Sequence, residues 1–268
     1  MSGAPTIGFD LDGVLMRNPF ERCVFPHMHR VFHASPQLRA LPADEATARS
    51  REAVRSAWNR RIAAGDMVAA YDWDAIFREA ADALGGAEVP DVAALVRRCC
   101  TVPDAIAALP GAHRTLRALR GSGHRLVVIT NGFAAYQEPV LDALGLLPYF
   151  DLVITPDRVG FAKPDPAAFR AAGHLDWFVG DTLLHDVLGA RLAGARAVWL
   201  TTDLPAAITA LPAAQRASSP LLGPAVAAEI AASPYRALAA RASLEMCTPD
   251  AVIARLEEVL DVVLARAA

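Results

Sequence analysis

The chain is nearly without lysine. Its 268 residues carry 26 lysines and arginines together, and Lys163 is the single lysine among them. A composition that holds to arginine everywhere else marks that one position, set in the stretch GFAKPDP at 160–166. Such a place needs a compact ammonium on a flexible stem, which a planar guanidinium cannot replace. Cysteine is sparse as well. Cys23, Cys99, Cys100 and Cys247 show no C-x-x-C metal spacing, and four is few for a chain of this size. That pattern points to reduced thiols and a cytoplasmic protein. No run of 18 or more apolar residues is present, so no membrane partner is expected. The first residues, MSGAPTIGFDLDGVL, lack a basic leader and do not resemble a signal peptide. Net charge is −3 with no basic cluster, which argues against a nucleic-acid partner.

What is present is a folded globular composition, 54% hydrophobic and 21% charged. Five short apolar runs, at 5–10, 125–130, 151–155, 177–181 and 196–200, are bounded by turn residues and read as buried strands. Helical patterns at 111–123, 135–146, 164–173 and 183–195 lie between them. Strand alternating with helix specifies a parallel sheet covered on both faces. Residues 17–105 differ: stretches such as 45–65 and 72–86 have helical periodicity, and no strand stands out. The expected architecture is α/β, a Rossmann-like parallel sheet core (1–16 and 106–268) with an inserted all-helical cap domain (17–105). Residues 203–240 are Ala/Pro-rich and helical. Three roles are open to them: covering the sheet edge, forming a homodimer contact, or bordering the active site. ASLEMC at 242–247 reads as a last edge strand. A final helix is expected from Thr248, its N-cap, with Pro249 in the first turn.

Ligands of open α/β sheets bind at the carboxyl ends of the strands. There the sequence places Asp10 and Asp12 after the first strand, and Thr130 and Asn131 after the strand at 125–130. Asp181 and Asp186 follow the strand at 177–181, and Lys163 lies in a loop leading into a helix. Four carboxylates raise one another's pKa unless cationic charge compensates, and one lysine is not enough. Carboxylate oxygens are what Mg2+ prefers, and Mg2+ tends to share its shell with phosphate. The constellation therefore asks for a divalent cation and suggests a phosphate beside it. Taken singly, each motif also has a plain turn reading.

DLDGVL, ITN, KPDP and GDTLLHD, in this order on elements of this kind, resemble the haloacid dehalogenase-like hydrolases. The insert after the first motif is similar to the small cap of that superfamily's first subclass. The resemblance spans roughly residues 5–200. It implies that Asp10 is a nucleophile forming an aspartyl-phosphate and that Asp12 is the general acid/base. It implies that Thr130 and the Asn131 amide bind the phosphoryl group, and that Lys163 steadies charge between nucleophile and phosphoryl oxygens. Asp181, Asp10 and the carbonyl of Asp12 would hold Mg2+, with Asp186 reaching it through water or orienting Lys163. His185 stands where the family often has asparagine and reads as a solvated helix histidine. The expected activity is hydrolysis of a small phosphorylated metabolite. A phosphomutase is the alternative. A dehalogenase fits less well, because it needs neither Asp12 nor a metal. A non-catalytic binding protein would be expected to lose Asp10 or Asp12. Phosphoglycolate, a sugar phosphate and a nucleotide monophosphate are all open as substrates.

Overall fold

The computed structural model describes residues 4–264. The chain forms two compact units: one from residues up to Arg17, Ala108–Asn131 and Leu146 onward, the other from Asn18–Ala107 and Gly132–Gly145.

The first unit is built on a parallel sheet. In chain order the strands are β1 (Thr6–Phe9), β2 (Met16–Arg17), β3 (Ala107–Ala108), β4 (Arg125–Ile129), β5 (Leu152–Ile154), β6 (Trp177–Gly180), β7 (Arg196–Leu200) and β8 (Ala251–Ile253). Six of them form the sheet in the order β5-β4-β1-β6-β7-β8, and β2 and β3 make a separate two-stranded ribbon. β1 and β6 are buried along their whole length. A strand covered on both faces has no polar side to alternate with, which explains the short continuous runs. Phe178 is fully buried and meets Phe169 edge-on at 4.9 Å. A side chain buried this way contributes about 2 kcal/mol.

The C-terminal part differs from the sequence reading. Residues 244–247 form a helical turn capped by Ser243, whose Oγ accepts from the Met246 amide at 3.2 Å. The last strand comes afterwards, inside the stretch expected to be helix. Ala251, Val252 and Ile253 pair with β7, in register Val198↔Ala251. Asp250 sets that register: its N–H donates to Ala197 O at 2.8 Å and its carboxylate accepts from Ala197 N at 2.9 Å. Three buried apolar residues beside an open strand edge outweigh the capping signal at Thr248. Helix resumes only at Leu256–Glu258 and Val259–Val263, and residues 265–268 of the expected helix lie outside the described residues.

Residues 203–240 fold as short helices on the sheet unit. Ile208, Leu222 and Val226 enter the same hydrophobic core as Phe178 and Trp199. Arg216, only 5% exposed, pairs with Glu258 and anchors this segment to the turn after β8. Burial would raise Glu258, but the Arg216 hydrogen bond, the Ala254 amide and the Arg216 charge bring it down to about 2.

The second unit is helical: α1 (Phe25–His33), α2 (Ala43–Ala64), α3 (Trp73–Ala83) and α4 (Val92–Cys99), together with the helix Ala134–Ala143. Asp72 and Asp91 cap α3 and α4 by accepting from Ala75 N and Ala94 N, each at 2.9 Å. Phe20, Phe25, Trp73 and Phe77 form an aromatic core with ring centroids 5.2–6.1 Å apart. Tyr136 joins it edge-on to Phe20, and its hydroxyl donates to Asp74 at 2.6 Å. This explains why 132–145 belongs to the helical unit although it follows a sheet strand.

Cys23 and Cys99 form a disulfide, Cα to Cα 5.9 Å, which corrects the expectation that all four thiols are reduced. The pairing was hidden because 76 residues separate them and only the packing of α4 beside the segment leading into α1 brings them together. Alkylation of the unreduced, denatured protein is expected to label only Cys100 and Cys247. Reduction is expected to lower stability by up to about 4 kcal/mol, since the bridge closes a long loop. Four labelled cysteines without reductant would show that the bridge does not form in solution.

Candidate active site

The strand order puts the ends of three segments that are distant in sequence side by side. β1 lies between β4 and β6, so Asp10, Thr130 and Asp181 leave neighbouring strands at the same edge. The chain crosses to both sides of β1, and such a switch point opens a crevice at the strand ends. Asp10 is fixed there by its amide, which donates to Val179 O at 2.9 Å, and its Oδ1 accepts from Leu11 N at 2.8 Å.

Lys163 is 2% exposed. Its Nζ lies 2.8 Å from Asp10 Oδ1 and 2.6 Å from Asp186 Oδ1, with the Phe178 ring centroid 5.5 Å away. Burial would lower its pKa, but the charges of Asp10 and Asp186 outweigh that and hold it well above the ordinary lysine value. Asn131 positions the loop. Its Nδ2 donates to Lys163 O at 3.1 Å and its Oδ1 accepts from Lys163 N at 2.7 Å. Thus the Asn131 side chain, and not only its backbone amide, has work at this site. The Lys163–Pro164 peptide is cis.

Asp186 is fully buried, and both of its oxygens are engaged. Oδ1 accepts from Lys163, and Oδ2 accepts from the Thr182 amide at 2.9 Å and the Thr182 hydroxyl at 2.5 Å. Burial raises its pKa, but the Lys163 charge and these hydrogen bonds reverse the shift to below the ordinary value. Thr182 was not singled out from sequence, although a threonine four residues before Asp186 in a tight turn was a usable signal. Trp199 was also missed. Its indole N–H donates to Asp181 O at 3.0 Å, a contact from the neighbouring strand that no local pattern encodes.

Two glycines keep space for carboxylates. A Cβ on Gly13, which has φ +82°, would lie 2.1 Å from Asp181 Oδ2, and one on Gly180 would lie 2.2 Å from the Asp186 Cβ. His185 departs from expectation: it is 5% exposed, not solvated, and packs against Tyr235 with centroids 4.2 Å apart. Burial lowers its pKa to about 4, so it is neutral.

Asp10, Asp181 and Asp186 bring carboxylate oxygens within 4.8 Å of one another. Asp12 is half-buried, and its charge reaches Asp10. Thr130 is buried at the end of β4, where its amide donates to Ile154 O at 3.1 Å. Burial and the Asp186 charge push Asp10 up to about 7 against the pull of Lys163. Burial, then Asp186 and Asp10, push Asp181 up to about 8. An all-oxygen, under-compensated anionic cradle fits a hard divalent cation.

A parallel sheet with carboxylates and one lysine gathered at its switch point defines an α/β protein with a buried acidic site at its strand ends. Comparison with known proteins gives the family. The model of the haloacid dehalogenase-like hydrolases matches residues 4–194. The phosphoserine phosphatase of Thermus thermophilus is 33% identical over 226 residues, covering 73% of this chain and 88% of that protein. The phosphoglycolate phosphatase of Caulobacter vibrioides is 31% identical, covering 72% and 77%. The match to the pyrimidine 5'-nucleotidase YjjG of Escherichia coli, 42% identical over 100 residues, spans 34% of this chain and 44% of that protein. Among solved structures, a phosphatase of the same superfamily from Thermococcus onnurineus superimposes with a TM-score of 0.60 at 28% identity, covering 75% of this chain and 88% of that one. The chain belongs to the haloacid dehalogenase-like hydrolases and is an enzyme of that family.

Two outcomes follow from the charges. Asp10 and Asp181 hold protons in the folded, metal-free protein that the unfolded chain releases near pH 4. Their contribution is therefore present at low pH and lost as pH rises through about 7 and 8. The metal-free unfolding midpoint is expected to fall as pH rises from about 4 to about 8 and to level off above that, and Mg2+ to raise it more at the upper end. A Mg2+ effect independent of pH would show that these carboxylates do not hold the cation. Separately, Lys163→Met is expected to cost about 3–5 kcal/mol near neutral pH, because it strands buried carboxylates. Lys163→Arg is not expected to restore stability or activity, since the pocket closes around a single nitrogen. Thermal melts of both variants check this, and full rescue by arginine would refute the packing argument.

Proposed function

We propose that this enzyme is a Mg2+-dependent phosphatase acting on a small phosphorylated metabolite. The reading is carried by Lys163 Nζ, held between Asp10 and Asp186 beside Asp181. The names of the phosphoserine and phosphoglycolate phosphatases that it resembles over most of its length support the same class.

In this reading Asp10 attacks phosphorus and forms an aspartyl-phosphate while the ester P–O bond breaks. Asp12 gives its proton to the departing oxygen. It then takes a proton from water as that water attacks phosphorus, breaking the Asp10–phosphorus bond and releasing phosphate. Thr130 and the Asn131 amide donate to the phosphoryl oxygens. Lys163 keeps its charge beside Asp10 throughout, which favours the ionised nucleophile and the oxygens that gain charge. Asp10, Asp181 and the carbonyl of Asp12 would hold Mg2+, whose chemistry is to neutralise phosphoryl charge. Asp186, with both oxygens committed to Lys163 and Thr182, holds Lys163 and would reach the cation only through water. The helical unit serves as the cap that selects the leaving group. Among the described residues no helix is long and apolar enough to cross a membrane.

Hydrolysis of an aryl phosphate and of a panel of phosphorylated metabolites is the test. Asp10→Asn is expected to abolish turnover, and Asp12→Asn to lower kcat by about a hundredfold or more. Excess chelator is expected to stop the wild type, with recovery on adding Mg2+. Isomerised product in place of released phosphate would replace this reading with a mutase. Turnover in Asp10→Asn would remove the nucleophile assignment.

A further inference from the structure

The helical unit contains a cavity of about 830 Å3 that the chemistry above does not use. It opens between α1 and α2, and all of its lining residues belong to this unit. One wall is aromatic: Phe25, Trp58 and Trp73, each half-buried. The rim carries Arg30, Arg51 and Arg55 against a single carboxylate, Glu21. Arg55 has an exposed partner, Glu52, at 3.9 Å, and Arg30 Nε donates to Pro26 O at 3.3 Å. Among the described residues Arg51 has no hydrogen-bond or ion-pair partner.

Two histidines complete the lining, and both are tied to α2. His29 Nδ1 lies 2.7 Å from the Ser50 hydroxyl, which is also 3.0 Å from Thr47 O. His33 Nε2 lies 3.2 Å from the Thr47 hydroxyl, which is also 2.8 Å from Ala43 O. Each imidazole therefore has one ring nitrogen engaged by α2 and one left for a ligand. Burial first, and then the neighbouring Arg51 and His33, hold the His29 imidazole below the usual histidine value. A cation is a poor occupant. The arginines repel it, and among the described residues no third ligand converges on the two histidines.

We propose that this pocket binds a small anion carried on a planar ring, with the ring against Trp58 and Trp73 and the charge held by Arg51. Guanidinium groups recognise carboxylate and phosphate by charge-assisted hydrogen bonds, and indole faces add stacking area. The site is complete within the helical unit, so it does not depend on the phosphatase assignment. The ligand is a molecule separate from the phosphorylated substrate.

Isothermal titration of the full chain with benzoate tests it, with acetate supplying the charge alone and benzamide the ring alone. Benzoate is expected to bind about tenfold more tightly than either control. Arg51→Ala and Arg55→Ala are each expected to weaken benzoate binding about tenfold, the loss of a hydrogen bond to a charged group. Both arginines are exposed, so the unfolding midpoints should not move. Asp181→Asn, in the other unit, should leave benzoate binding intact. Binding that survives both arginine substitutions, or that disappears only in Asp181→Asn, overturns the proposal.

Discussion

The structure at the strand ends depends on one desolvated ammonium. Lys163 is almost fully withdrawn from water, a cost of several kcal/mol that only close opposite charge offsets. Asp10 and Asp186 supply that charge from two different loops, and Asn131 fixes the backbone that carries the lysine. Each partner is needed by the others. Asp186 would be an unpaired buried carboxylate without Lys163, and Asp10 would be driven further toward its neutral form. The balance is still negative, because one ammonium faces Asp10, Asp12, Asp181 and Asp186. That residual negative charge is the physical reason the site suits a divalent cation.

The fold was legible where burial is one-sided in its demands. A strand covered on both faces must be a short apolar run, and β1, β4, β5, β6 and β7 all appear within a residue or two of those runs. It was not legible at the C-terminus. Ala251–Ile253 sits inside a segment with helical periodicity, and its strand conformation comes from the open edge of β7, a tertiary neighbour. The Cys23–Cys99 pair failed for the same reason, since the composition argument knows nothing of which helices touch.

The grouping of the candidate residues was legible because they occupy backbone-defined places: Asp10, Thr130 and Asp181 are the first polar residues after three buried strands. Lys163 stood out because arginine occupies every other cationic position in the chain. What could not be read was the layer that holds these residues. Thr182 acts through a four-residue turn, Trp199 from the next strand, and Tyr235 from a segment with no expected role. The contact of His185 with Tyr235 gives residues 203–240 a place: they cover the sheet core and buttress the turn that carries Asp186.

The position of β1 has a consequence for how the protein is made. β1 emerges from the ribosome before its neighbours β4 and β6, so Thr6 must wait for Arg125 and Ile7 for Trp177. Meanwhile the helical unit, mostly contiguous and rich in local contacts, can fold on its own timescale. An apolar strand with both edges unpaired is the part of the nascent chain most exposed to wrong partners. Its shortness, four residues bounded by Pro5 and Asp10, limits that exposure until the sheet closes around it.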